Sequence, residues 1–421
     1  MASYLEQIDE TSADRRWPMV RRWMFEESLP FFAELRAHRP ILAMPELTLV
    51  TRFHDCATIL RRHDAFSVAP YVPKMGGYWM AQDDTAMHWR EKSIMRAILD
   101  REDIPGIRAF VADKAAALLK NANGTIDAVN GLARAVPIAL VQERFGFADS
   151  DPRKLFEWSY WNQIDEFWNY SWDGLSKAQH DDIVTRHETA NAEMAAYLGA
   201  LAQRRGQEMQ AGQIGDDPLS RLMRLALSQS LRFDPTRAVV NTGGLLVGAV
   251  ETTSHAAVNA IAGLLARPEV FARARAAAAA DDPSEFDGHV FEAMRFKPAF
   301  PYFFRTCEQA VVLSGGTDHA AEIEPGTIVF ALTHSAMFDS AVFPDAERFD
   351  PTRPTGNMFH FGLGIHECLG VAIGCVMIPE IVRQCLRLEG LEAAGPVDYK
   401  GGPVPESYPL CWKTDGSVQT S

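Results

Sequence analysis

The feature that most constrains this chain is a ten-residue stretch, residues 361 to 370, that reads FGLGIHECLG. Three of the ten residues are glycine, which lacks a Cβ and lets the backbone approach a flat ligand closely. The apolar stretch that follows, Val371 to Leu388, has the length of a buried helix, so Cys368 lies just before a helix N-terminus. Free N–H groups and the helix dipole favour a thiolate there. We predict that Cys368 is a metal ligand or a nucleophile; the alternative is a buried structural cysteine.

The residues around Cys368 extend this prediction. Phe361 offers an aromatic face that shields the sulfur, and His366 can donate to an anionic edge of the bound group. The pattern Phe-Gly-x-Gly-x-His-x-Cys-x-Gly resembles the haem-thiolate loop of the cytochromes P450. The resemblance implies that Cys368 is the axial ligand of the iron of haem b. It also implies that Phe361, Gly362, His366 and Gly370 contact the cofactor.

Composition and charge narrow the class of protein. The 421 residues are 47% apolar and 23% charged, without a linker-like segment, which predicts one domain over residues 1–421. No apolar run approaches the roughly 20 residues that span a bilayer, and residues 1–22 lack a signal peptide's apolar core. Six cysteines without a C-x-x-C pair suit a reducing compartment. We expect a soluble cytoplasmic protein whose net charge of −14 disfavours nucleic acid and anionic membranes.

A basic stripe precedes residue 99. His88, Lys92 and Arg96 are spaced four apart, so they share one side of a predicted helix. Such a stripe is usually a solvated face. By resemblance, His88 and Lys92 bind a haem propionate, although the family usually has arginine at the second position. Arg90, Lys92 and Arg96 are then expected to form the docking face for an acidic redox partner.

The long central helix carries a second group of candidates. Asp234-Pro235 predicts its start and Pro268 its end. Glu251 and Thr252 lie in its apolar middle, and the Thr252 hydroxyl can bond the Gly248 carbonyl and open the helix. The alternative is that this bond only satisfies the threonine hydroxyl within its own helix. By resemblance, Glu251 and Thr252 are the acid–alcohol pair of P450s, in which the alcohol lines an oxygen-binding groove and the acid relays protons.

Several further segments have a predicted role. Residues 40–44 and 47–51 predict two short strands, and residues 55–63 predict a helix. Residues 66–80, rich in glycine, proline and large apolar side chains, form either a site-lining loop or a loop packed on the core. Eight aromatic residues are expected to form a substrate-pocket wall or plain core: Phe156, Trp158, Tyr160, Trp161, Phe167, Trp168, Tyr170 and Trp172.

The C-terminal half contributes two further elements of the resemblance. Glu292, Arg295 and Arg348 match the buried structural triad of the family, and Arg305 matches a second contact to a haem propionate. The sequence departs from the family pattern at Ala249, where glycine is frequent, and at residues 337–339.

Together these observations predict a mainly α fold with small β-sheets, the cytochrome P450 fold. The resemblance implies a haem-thiolate monooxygenase that uses O2, a small or medium hydrophobic and possibly aromatic organic substrate, and electrons from a separate ferredoxin and ferredoxin reductase. Two alternatives stay open. One is a P450-type peroxygenase, isomerase or dehydratase that needs no reductase, which Glu251 and Thr252 disfavour. The other is a non-catalytic haem sensor or electron carrier.

Overall fold

The structure, a computed structural model, describes residues 3–75, 77–99, 103–213, 215–227 and 234–414. Helices dominate these residues, as predicted. The α-helices are α1 Tyr4–Glu10, α2 Ala13–Glu26, α3 Ser28–His38, α4 Phe53–Arg61, α5 Ala86–Ile98, α6 Ile104–Ala122, α7 Ala135–Arg144, α8 Pro152–Trp168, α9 Lys177–Gln210, α10 Pro218–Leu227, α11 Pro235–Ala249, α12 Glu251–Leu265, α13 Pro268–Ala279, α14 Ser284–Phe296, α15 Thr333–Ala336 and α16 Val371–Leu386.

The strands are short. They are β1 Ile41–Ala43, β2 Thr48–Val50, β3 Phe66–Ser67, β4 Thr125–Asp127, β5 Phe303–Cys307, β6 Val311–Leu313, β7 Ala321–Ile323, β8 Ile328–Ala331, β9 Glu392–Ala393 and β10 Pro409–Cys411. The predicted strands near residues 41 and 48 and the small β region after Leu391 are confirmed.

Three small sheets result from these strands. The largest has the order β1-β2-β8-β5-β3, in which β2 and β8 are parallel and the other neighbours are antiparallel. Strand β10 pairs with β4 and β9, so the C-terminal segment is tied to the region after α6. A hairpin of β6 and β7 completes the set. The sheets therefore join residues far apart in sequence around the helices.

Local sequence signals explain where the functional helices begin. The Asp234 side chain accepts from the Thr236 N–H at 2.9 Å, which confirms the predicted start of α11. Thr85 caps α5 by accepting from the His88 N–H at 3.1 Å. Asp151 caps α8 in the same way, with Pro152 at the first helical position.

Helix α16 is buried on nearly all sides, as its continuous apolar sequence predicts. It packs against α6, α12 and α14 in the main hydrophobic core. Cys368 precedes this helix, so the predicted loop is held by an element that the rest of the core fixes in place.

The predicted single helix over residues 235–267 is wrong in one respect. The chain forms two helices, α11 and α12, which are separated at Val250. The cause lies in the predicted bond, since the Thr252 hydroxyl donates to the Gly248 carbonyl at 2.7 Å and competes with the helical ladder.

Within the described residues, no helix is long and apolar enough to cross a membrane. The cytoplasmic location stays a prediction.

Candidate active site

The cysteine loop is closed by its own backbone. The Cys368 N–H donates to the Phe361 carbonyl at 2.8 Å, and Gly370 directly precedes α16. Gly364 has φ +76°, and a Cβ there would lie 2.5 Å from the Leu60 carbonyl oxygen. The loop can therefore lie against the end of α4 only with glycine at this position.

A second close approach holds the aromatic shield. A Cβ on Gly374 would lie 2.6 Å from the ring of Phe361. The missing side chain in the first turn of α16 lets this ring lie against the helix, and the ring lines the same cavity as Cys368. Gly374 is thus a further position where a close approach requires glycine, and the sequence pattern did not single it out.

Cys368 lies in the wall of a large apolar cavity of about 490 Å³, within the range of roughly 300–1,000 Å³ typical of ligand pockets. Phe361, Gly362, His366 and Gly370 line the same cavity. The structure thus brings the predicted loop residues together around one space. Its walls are mostly aliphatic and aromatic.

Two opposing effects act on the pKa of the Cys368 thiol. Burial raises the pKa, whereas the Gly370 N–H and the charge of Lys92 lower it. The predicted stabilisation of the thiolate at the helix N-terminus is present, but burial outweighs it in the chain alone. A metal ion removes this conflict, because metal coordination displaces the thiol proton.

The break between α11 and α12 opens into the same cavity. Gly248, Ala249 and Thr252 line it, and a Cβ on Gly248 would meet no atom within 4 Å. The carbonyl of Val247 accepts from the side chain of Gln163 at 2.9 Å, so a neighbouring helix satisfies the opened turn. Space for a small molecule therefore adjoins the Thr252 hydroxyl.

Glu251 faces away from this cavity. It is 3% exposed and forms a two-bond pair with Arg134, with N–O distances of 2.9 Å. Arg134 also contacts Glu406 at 3.2 Å, and Glu406 accepts from the Tyr160 hydroxyl at 2.7 Å. Burial raises the pKa of Glu251 and the charge of Arg134 opposes this. The acid of the predicted pair is thus one end of a buried ionic network.

Four predicted cofactor contacts converge beside the cysteine loop. His88 Nε2 lies 3.2 Å from the Ile365 carbonyl oxygen, and the His88 ring centroid is 5.1 Å from that of His366. Lys92 donates to the carbonyls of Ile365 and Glu367. Burial lowers the pKa of His366, and the charge of Arg305, which is itself 5% exposed, lowers it further. Basic side chains from three segments therefore surround one edge of the loop.

Two of these basic groups lack an acid partner. In the described part of the chain, neither Arg305 nor Lys92 forms an ion pair, and Arg305 donates to the Phe304 carbonyl at 2.8 Å. Burial lowers the pKa of Lys92 to about 8. Buried cations without a carboxylate are costly, so this edge fits a ligand that carries carboxylates. The thiol, the glycine-lined loop and this basic edge together fit haem.

The structure corrects the basic docking face. Lys92 is buried, at 3% exposure, and its ammonium group is engaged by the cysteine loop. Arg90 is exposed, and the Arg96 side chain is 39% exposed beside Glu367. The prediction that Lys92 belongs to an exposed stripe is wrong because its side chain points to the loop.

The structure also corrects the triad. Glu292 and Arg295 form a fully buried pair at 2.7 Å, as predicted. The third arginine is Arg353, which donates to Glu292 at 3.3 Å. Arg348 is 68% exposed and pairs with Asp350 instead. The prediction failed because Arg348 and Arg353 lie in the same irregular segment and only its path decides which one turns inward.

The aromatic cluster is mostly core. Of its eight members, all of which are described, Phe167 alone lines the cavity. Trp168 and Trp172 belong to a hydrophobic core formed with the N-terminal helices and the large sheet. The aromatic lining includes Phe300 and Phe303 instead. The pocket-wall interpretation is therefore wrong for most of the cluster.

For the loop over residues 66–80, the site-lining and the core-packing interpretations each hold for some of its residues. Met75 and Tyr78 line the cavity, whereas Tyr71 and Trp79 are buried in the core.

Sequence reasoning missed a polar strip in the cavity wall. Asn162, Gln163 and Glu166 lie on α8 and Asn191 lies on α9, and all four line the cavity. The available signal was a run of polar residues inside the aromatic helix.

Comparisons with known proteins agree with the resemblance found in the sequence. A family sequence model described as cytochrome P450 matches residues 286–388, which include Cys368. Erythromycin C-12 hydroxylase of Saccharopolyspora erythraea is 27% identical over 355 residues, 80% of this chain and 82% of that protein. Nocardicin C N-oxygenase of Nocardia uniformis is 28% identical over 418 residues, 91% of this chain and 95% of that protein.

A solved structure gives the same answer for the fold. Cytochrome P450 CYP109Q5 from Chondromyces apiculatus superposes with a TM-score of 0.73 at 23% identity, covering 90% of this chain and 94% of that chain. The predicted fold class is confirmed.

Proposed function

This chain belongs to the cytochrome P450 family, and on that premise we propose that it is a haem-thiolate monooxygenase. It inserts one oxygen atom from O2 into a hydrophobic organic substrate and takes electrons from a separate protein. The names of its relatives support the reaction class, since they include a hydroxylase and an N-oxygenase.

The observation that carries the proposal is the joint presence of Cys368 and Thr252 in one apolar cavity. In this proposal Cys368 binds the iron of haem b, and Phe361, Gly362 and Gly370 lie against the cofactor. His88, Lys92, Arg305 and His366 take its carboxylates. The bound haem supplies the oxidation of unactivated bonds.

The residues of the chain position the oxygen substrate and supply protons. The Thr252 hydroxyl donates a hydrogen bond to the Gly248 carbonyl, so its oxygen is left to accept from a molecule in the opened turn. Arg134 links Glu251 to Glu406, whose side chain is 16% exposed, so the network reaches solvent. The guanidinium keeps its own protons, and in this proposal the Glu251 carboxylate itself takes up and releases the proton. Glu251 must loosen from Arg134 to pass a proton onward.

We assign electron delivery to a small acidic redox protein such as a ferredoxin with its reductase. Arg90 and Arg96 support this assignment, because both lie on α5 and are accessible to solvent, and Arg96 pairs with Glu367 of the cysteine loop. Lys92 has no part in this face.

The test is thiolate ligation of the haem. The purified holoprotein should give a ferrous carbonyl complex with the red-shifted Soret band of thiolate ligation, and Cys368→Ser should abolish that band. Cys375→Ser is the matched control, since Cys375 is also a free, partly buried cysteine, lies within α16 and should be dispensable for the band. A wild-type complex without the red shift contradicts the proposal.

The same holoprotein separates the reaction classes. Turnover with O2, a ferredoxin and its reductase supports the monooxygenase. Turnover with hydrogen peroxide alone indicates a peroxygenase.

A further inference from the structure

One acid in the cavity wall has no partner. Glu166, on α8, is 8% exposed and lines the cavity that also contains Cys368. Among the described residues no side chain or backbone group forms a hydrogen bond or ion pair with its carboxyl group. The other ionisable groups of this wall differ, since Lys74 pairs with Asp165 at 2.8 Å.

The groups that face Glu166 come from several segments and do not neutralise it. Burial and the neighbouring carboxylate of Asp165 raise its pKa to about 8, and Lys74 opposes this only in part. Burial raises the pKa of Tyr78, from the loop before α5, and of Tyr170, after α8, and the nearby Glu166 raises both further. Glu166 is therefore held in an apolar setting, and Lys74, which is paired with Asp165, offsets its charge only in part.

Among the residues that the structure describes, a second acceptor without a donor lies near Glu166 in the cavity wall. The amide nitrogens of Gln163 and Asn162 already donate, to the Val247 carbonyl at 2.9 Å and the Trp158 carbonyl at 2.8 Å. The Gln163 amide oxygen has no donor among the described residues. A wall with a free carboxyl and a free amide oxygen fits a ligand that brings positive charge or N–H groups.

We propose that Glu166 is a substrate-binding residue whose carboxylate pairs with a cationic nitrogen on an otherwise hydrophobic substrate. This inference rests on the proposed function, because it assigns a substrate class to the same cavity. The apolar walls, including Phe167 and Phe300, take the carbon skeleton. The ion pair fixes its orientation, since an isolated buried carboxylate is costly and a buried partner offsets that cost.

The test measures the binding of matched probes to the holoprotein by calorimetry. The probes are phenylbutyl trimethylammonium, its uncharged carbon analogue with a tert-butyl group, and phenylbutanol. A quaternary nitrogen cannot ligate iron, so its binding reports on the cavity. We expect the cation to bind wild type at least about tenfold more tightly than either neutral probe, as for a buried charge pair.

Two variants test whether Glu166 causes the preference for the cationic probe. Glu166→Gln keeps size and polarity and should bind the three probes alike. Glu157→Gln is the matched control on the same helix, since the Glu157 side chain is 47% exposed and pairs with Lys154. It should retain the wild-type preference for the cation.

The dependence on pH gives an independent readout. The charge of the ammonium probe does not titrate, and only the ionised carboxyl group pairs with it. Its affinity for wild type should therefore rise by up to about tenfold per pH unit below the Glu166 pKa of about 8 and level off above it. The affinity for Glu166→Gln should be flat over the same range.

Four results would overturn the inference: no binding of the ammonium probe to wild type, equal affinity for the neutral analogue, equal affinity for the alcohol, or a preference that survives in Glu166→Gln. The ferrous carbonyl spectrum of the same preparation tests the proposed function separately. A red-shifted Soret band without a Glu166-dependent preference refutes this inference alone, and loss of the band refutes the proposed function while the binding data still decide the role of Glu166.

Discussion

Replacing Arg353 should destabilise the fold far more than replacing Arg348. The Arg353 side chain is 9% exposed and donates to Glu292 at 3.3 Å and to the carbonyls of Pro344 and Asp345 at 2.7 Å each. Arg353→Met removes all of these bonds. Breaking a buried charged pair costs about 3–5 kcal/mol. Glu292 keeps its bonds to Arg295, so the loss should lie near the lower end of that range.

Arg348 supplies the matched comparison. It is 68% exposed and has one surface pair, to Asp350 at 2.9 Å, worth about 0–1 kcal/mol. The free energy of unfolding, measured by urea titration of the holoproteins with far-ultraviolet circular dichroism, should therefore be about 2–4 kcal/mol lower for Arg353→Met than for Arg348→Met. Arg353→Lys should lie between them. Equal destabilisation by the two Met variants would refute the assignment of Arg353 to the triad.

Two further predictions concern protonation and oxygen use. Burial raises the pKa of Asp173 to about 6 in the folded protein, against about 3.9 in an unfolded chain, so wild-type stability falls as pH rises through that window. Asp173→Asn should lack this fall and gain up to about 2–3 kcal/mol over wild type between roughly pH 4 and pH 7 in urea titrations; parallel pH profiles would contradict this. Thr252→Ala should keep the red-shifted carbonyl band but form less product per electron pair and release hydrogen peroxide instead. An unchanged yield would show that the hydroxyl has no such role.

Much of the fold follows from local signals in the sequence. The capping pair Asp234-Pro235 and the apolar run after Cys368 each predict a helix start that the structure confirms. Such signals work because capping and burial act within one turn or one helix face. The break at Val250 was only half predicted, because the bond from Thr252 to Gly248 is local, whereas its consequence for the helix depends on Gln163 from another helix.

The site divides in the same way. The cysteine loop is one continuous motif, so its members could be identified together from sequence. Lys92 and Arg353 were harder, because a side chain at a given spacing can face solvent or the core, and only packing decides between them. Glu166 was missed because it lies in a helix dominated by aromatic residues, and nothing local shows that its carboxyl group has no partner.

The placement of Glu166 couples substrate orientation to the opened turn. Gln163 and Glu166 lie three residues apart and so share one face of α8. Gln163 fixes that face to the Val247 carbonyl at the break, which lines the cavity beside Thr252. A cation bound to Glu166 is therefore held by the same rigid helix, α8, that contacts the opened turn. The distance from the charged nitrogen to the oxidised bond is then set by the protein, because groups on rigid elements keep their geometry better than groups on loops.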